Sequence, residues 1–77
     1  MEVKCLTDTM TLRRRIEEAG LKYKYIANQL GLKPYGLQLK INNVFEFKVS
    51  EVNLLTKILN LSAGEKEEIF FASNVEK

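Results

Sequence analysis

Apolar residues in this chain recur at three- and four-residue intervals, the period of helices that bury one face. Leu12 and Ile16 share one stripe, Ile26 and Leu30 a second, and Leu37 and Ile41 a third. Val52, Leu55, Ile58 and Leu59 form a fourth, and Ile69 with Phe70 or Phe71 anchors a fifth. Ala19 and Leu54 extend the first and fourth stripes at their margins. The residues between the stripes supply helix ends. Asp8 is a cap for the first helix and Gly20 its stop. A second helix is expected over residues 22–30 and a third over 33–42, where Pro34 fits the first helical position because its missing N–H has no partner there anyway. Ser50 is expected to cap the fourth helix, with Glu51 near its positive end, and Ser62 with Glu65 forms a capping-box pattern for the fifth. Val44, Phe45, Phe47 and Val49 admit a short strand, but an extended loop pinned by an aromatic suits a helical chain better. Residues 74–77 read as a frayed tail.

The second and third stripes belong together. Ala27 lies four residues before Gly31, and Leu37 six after it. A small residue is what two crossing helices need at closest approach, and glycine turns the chain through positive φ without a steric penalty. Leu32 then plugs the space beneath the turn. This is the spacing of a helix-turn-helix, a unit that lays its second helix in the DNA major groove. Gly36 inside that helix costs about 1 kcal/mol against alanine, which suggests close approach of either the second helix or a DNA backbone.

Charge adds to the picture through its distribution. The net value is only +2. Residues 1–48 carry nine Lys/Arg against five Asp/Glu, and residues 49–77 carry three against five. The basic half contains the helix-turn-helix, a polarity expected of one phosphate-facing side, although a chance asymmetry would look the same. The 77 residues are expected to form one domain, with its core over about residues 8–72. No run approaches the roughly 18 apolar residues of a membrane span, and no export signal opens the sequence, so the expected location is cytoplasmic, on the nucleoid when bound. Cys5 is the single cysteine, which excludes an internal disulfide and fits a reducing compartment; it reads as an inert thiol. The sequence has no histidine, Cys5 has no evident base, and Ser50 and Ser62 serve as helix caps. Glu65, Glu67 and Glu68 splay around a short helix. With no phosphate loop or zinc spacing, the expectation is no enzyme, no metal, no cofactor and no small-molecule ligand.

LRRRIEEAG in the first helix, IANQLGL in the second, KINN closing the third, FEFKVSEV and ILNLSAGEKEEIFFA together resemble the lambda-repressor-like fold over about residues 11–72. More narrowly, the chain resembles the small phage and mobile-element Cro/CI-type regulators. The resemblance implies an all-α, compact five-helix bundle whose third helix enters the major groove. It implies base-facing roles for Lys33, Tyr35, Gln38, Leu39 and Asn42. Gln38 has the chemistry to bond an adenine edge, and Leu39 suits a thymine methyl or else a helical neighbour. Related proteins commonly place Ser or Thr before the second helix and Gln at its start; here Lys22 and Tyr23 stand in those places. Lys22, Tyr23 and Lys24 can replace the usual phosphate contact, because an ammonium and a phenol both donate to phosphate. Arg14 and Lys40 complete the expected phosphate set. Arg13, Arg14 and Arg15 point about 100° apart, so they cannot form one patch.

The leading expectation is therefore a sequence-specific double-stranded DNA-binding regulator of a phage or mobile element, repressor- or Cro-like. A head of this size buries limited surface, which implies a homodimer, in its weakest form assembled only on DNA. Phe70 or Phe71 is the expected dimer contact, with burial of both inside one monomer as the alternative. A different class remains open: a helix-turn-helix-derived protein-interaction module or antirepressor that has lost DNA binding.

Overall fold

The computed structural model describes residues 5–73 and consists of five helices and one two-residue strand pair. The helices are α1 (Thr9–Glu18), α2 (Tyr23–Leu30), α3 (Pro34–Ile41), α4 (Val49–Leu59) and α5 (Ala63–Phe70). β1 (Cys5–Leu6) and β2 (Ala72–Ser73) pair antiparallel, Cys5 opposite Ser73 and Leu6 opposite Ala72. No helix among the described residues is long and apolar enough to cross a membrane. The expected five-helix bundle is the observed architecture. The strand pair was not foreseen, since two residues are too short to display a period of two. The tail at residues 74–77 and the side chain of Cys5 lie outside the described residues.

Each stripe closes on the same core. Leu12, Ile16, Ile26, Ala27, Leu37, Ile41 and Leu55 are buried to within 1% of full, and Val52, Leu59, Leu61, Ile69 and Phe70 complete the cluster. Ala19 is exposed at the end of α1 and Leu54 is mostly outside the core, so neither extends its stripe. The loop between α3 and α4 is held at both ends. Asn43 adopts positive φ (67°), and its side chain accepts from the Thr7 N–H at 2.8 Å and donates to the Thr7 carbonyl at 2.9 Å. Phe47 meets Phe70 edge-on, with ring centroids 5.6 Å apart. The loop reading, with an aromatic as its pin, was correct.

Helix starts follow the expected chemistry at α1 and α5. The Asp8 carboxylate accepts from the Thr11 N–H, and Ser62 and Glu65 exchange side-chain-to-backbone bonds at 3.1 and 2.9 Å. At α4 the boundary lies elsewhere. Lys48, not Ser50, is the N-cap, and Ser50 lies inside the first turn. Glu51 is the reason: its carboxylate accepts from the Lys48 N–H at 2.8 Å and so fixes the helix start two residues before Ser50.

The same carboxylate takes the Lys40 ammonium at 2.7 and 2.8 Å, joining α3 to α4. Only 13% of the Lys40 side chain and 7% of the Glu51 side chain reach solvent. This corrects the expectation of Lys40 as a phosphate contact, because its charge is committed inside the fold. On the opposite side, Arg15 reaches from α1 to Glu65 of α5 at 2.9 Å.

Two stability predictions follow from these ties. Removing one partner of a largely buried pair strands the other charge, so Lys40→Met should destabilise by about 3 kcal/mol in urea unfolding. Lys40→Met/Glu51→Gln should recover most of that loss, since the amide still accepts from the Lys48 N–H and no unpaired charge remains. Glu65 is held below its ordinary carboxyl value of 4.5, first by the Ser62 backbone N–H and then by Arg15. A depressed folded-state value means that stability from Glu65 is in place above the unfolded value and fades as pH falls through the lowered one. Glu65→Gln should flatten that acid limb in unfolding curves recorded between about pH 5 and pH 2.

Candidate nucleic-acid interface

The α2–α3 corner has the geometry its glycine requires. Gly31 lies in the left-handed region (φ 74°, ψ 25°), and its N–H reaches back to the Asn28 carbonyl at 3.1 Å. The Leu32 N–H bonds the Ala27 carbonyl at 2.8 Å, closing the helix end. Ala27 is fully buried in the core, α2 packs against α3, and Leu32 lies partly buried against the core. Two short helices joined by a glycine turn are therefore formed where the spacing predicts them.

Positions around α3 can be assigned from its burial. Leu37 and Ile41 define the inner side, which directs Leu39 and Tyr35 outward on the roughly 100° per residue of a helix. Tyr35 is 74% exposed and Leu39 is half-buried outside the core. Gln38 and Lys40 occupy the two margins, one on each side of the inner stripe. Lys40 turns to Glu51, as described above. Gln38 turns toward α1, where Nη2 of Arg13 donates to its Oε1 at 3.0 Å. The same Nη2 donates to Oδ1 of Asn42 at 2.9 Å. The Arg13 guanidinium also lies 5.7 Å from the centre of the Tyr23 ring, within cation–π range.

Arg13 is the residue that sequence reasoning missed. Leu12 and Ile16 set the buried side of α1, so Arg13 and Arg15 flank it while Arg14 points directly away. That arithmetic was available in the sequence; the side chains that each flank would meet were not. Arg14 sits 3.7 Å from Glu18 with both side chains more than 60% exposed, a solvated pair on α1's own surface. It does not join the α2–α3 face, and Arg13 takes that place. Tyr23 is also more committed than expected, its ring half-buried against the core and under Arg13.

A shallow groove of about 490 Å³ runs between the starts of α2 and α3, lined by Lys22, Lys24, Tyr25, Asn28, Leu32, Lys33 and Pro34. It contains three lysines and no carboxylate, and none of the three pairs with an acid among the described residues. Lys22 and Lys33 are the N-caps of α2 and α3, and neither helix has a side-chain cap bond. Among the described residues no side chain accepts from the first-turn N–H groups of α2, or from those that follow Pro34 in α3, the arrangement that suits an anion. Lys22 and Lys24, expected at phosphates, come together here with Lys33, which was expected at a base edge and instead shares their groove. Tyr25 and Asn28 join them without having been foreseen, because exposed positions on α2 carry no periodic signal.

Of the expected dimer residues, Phe70 is 4% exposed and belongs to the core, whereas Phe71 is 44% exposed. α5 ends at Phe70, whose ring meets Phe47 edge-on, and Phe71 follows as the C-cap, so the alternative of burying both is not observed. Phe71 borders a cleft of about 220 Å³ whose rim includes Val49.

No protein-family model, curated protein or solved structure matches this chain.

At Gly36 one of the two expected neighbours is removed. A Cβ built there meets nothing within 4 Å, so α2 does not press against it. Gly36→Ala should therefore raise stability by about 0.5–1 kcal/mol in urea unfolding, the helix-propensity difference alone. A loss of stability would show a packing constraint at this position.

Proposed function

We propose that this chain binds double-stranded DNA through the α2–α3 unit, as a sequence-specific regulator of the phage or mobile-element repressor class. The observation that carries the reading is the basic groove beside the outward face of α3. Lys22, Lys24 and Lys33 lie around two helix starts that no side chain caps. Phosphates would settle there and fix the register, while Tyr35, Leu39, Gln38 and Asn42 meet base edges. Gly36 supports the same geometry. A Cβ at Gly36 would meet nothing within 4 Å among the described residues, which leaves room there for a DNA backbone.

A second copy would bind the other half of a two-fold site, with Phe71 and Val49 as the apolar contact between heads. This follows the general need of a small head for a partner to reach useful affinity. A protein-interaction role is favoured by one observation, the exposure of Val44, Phe45, Val49 and Phe71. Apolar residues in such number on a small surface suit a protein partner as well as a second copy.

Fluorescence anisotropy with a mixed-sequence duplex pool, titrated in salt, separates the two. DNA binding predicts micromolar or tighter affinity at low salt that falls steeply as salt rises. Lys24→Ala and Lys33→Ala should each lower the salt slope by about one and weaken all duplexes alike. A folded protein that binds no duplex at low salt would leave the protein-partner role in its place.

A further inference from the structure

Arg13 does something that a simple tie between helices does not require. One terminal nitrogen, Nη2, spends its two hydrogens on two different amide oxygens, Gln38 Oε1 and Asn42 Oδ1. A guanidinium has donors and no acceptor. Each amide must therefore turn its oxygen toward Arg13 and its NH₂ away. Neither NH₂ has an acceptor among the described residues, and Arg13 has no carboxylate partner among them. The stack of Arg13 over Tyr23 holds the guanidinium from α2. Three helices thus converge on one planar group, and its products are two oriented amides, the half-buried Gln38 on α3 and the exposed Asn42 at its C-cap.

Amide orientation is the information that base reading uses. A glutamine or asparagine carries an acceptor and a donor side by side, and a flip about its last bond exchanges them. A free side chain can match an adenine edge in one orientation and present a different donor–acceptor order in the other. Holding each oxygen from behind leaves its second lone pair and the NH₂ for a base, in a fixed order.

We propose that Arg13 is a positioning residue for base recognition, which sets the preference of Gln38 and Asn42 by fixing which way their amides point. The role rests on the DNA-binding reading given above.

The test is selection of bound duplexes from a randomised pool by wild type, Gln38→Ala, Arg13→Met and Arg13→Lys, each first shown to be folded. Arg13→Met should lose about tenfold in discrimination at the base position that Gln38→Ala relaxes and at the one that Asn42 reads, with other positions unchanged. Arg13→Lys keeps the charge on a shorter arm and should show the same loss of preference with the salt slope intact. It also carries the test if the methionine variant does not fold. A merely structural Arg13 would weaken every duplex by one factor and leave the selected motif unaltered, which would overturn the proposal. In the free protein, the side-chain NH₂ resonances of Gln38 and Asn42 should both move in Arg13→Lys; no movement would equally overturn it. If wild type binds no duplex, the DNA reading falls and this role with it, before any variant is compared.

Discussion

The buried ion pair between Lys40 and Glu51 is the constraint on which the exposed face depends. It fastens one margin of α3 to α4, and the carboxylate that holds it also sets the first turn of α4. Leu37 and Ile41 fill the inner side, and Arg13 closes the other margin through Gln38 and Asn42. A helix of eight residues has little stability of its own in water. Held on three sides, α3 keeps one rotation about its axis, and that rotation decides which residues face outward.

The corner at Gly31 supplies the remaining coordinate. Positive φ and the Leu32-to-Ala27 hydrogen bond end α2 sharply, and Ala27 allows the helices to approach closely. The starts of α2 and α3 then border one groove with three lysines around it. α1 and α5 satisfy their first turns with Asp8 and Ser62. At α2 and α3, lysine occupies the capping place instead, so positive charge adds to the positive helix ends rather than cancelling them. Stability at those two ends is lower than a serine or aspartate would give, which is consistent with the anion-binding role proposed for them.

The fold was legible because its signals are local. Leu12 and Ile16, Gly31, Pro34 and the Ser62–Glu65 box each declare a helix face or a helix end within a few residues. What the sequence hid was chosen between elements. Ser50 looked like a cap until Glu51, three residues past Lys48, took the Lys48 N–H. Lys40 looked like a surface cation because nothing in the sequence pairs it with a residue on the next helix. Phe70 and Phe71 are equivalent by pattern, and only the position of Phe47 distinguishes them. Among the candidate site residues, Lys22, Lys24, Lys33 and Tyr35 were readable as exposed polar or aromatic positions on a known unit. The link from Arg13 to Gln38 and Asn42 spans 25 and 29 residues, and no local rule reports a contact of that range.

The most direct test of the α2–α3 face is a ¹⁵N-labelled spectrum of the protein titrated with a short mixed-sequence duplex at low salt. The largest backbone changes should fall on Lys22, Lys24, Lys33, Tyr35, Leu39 and Asn42, with the Arg13 guanidinium among the shifted side chains and α5 left unmoved. Changes confined to the neighbourhood of Val49 and Phe71, or none from a folded protein, would contradict the account.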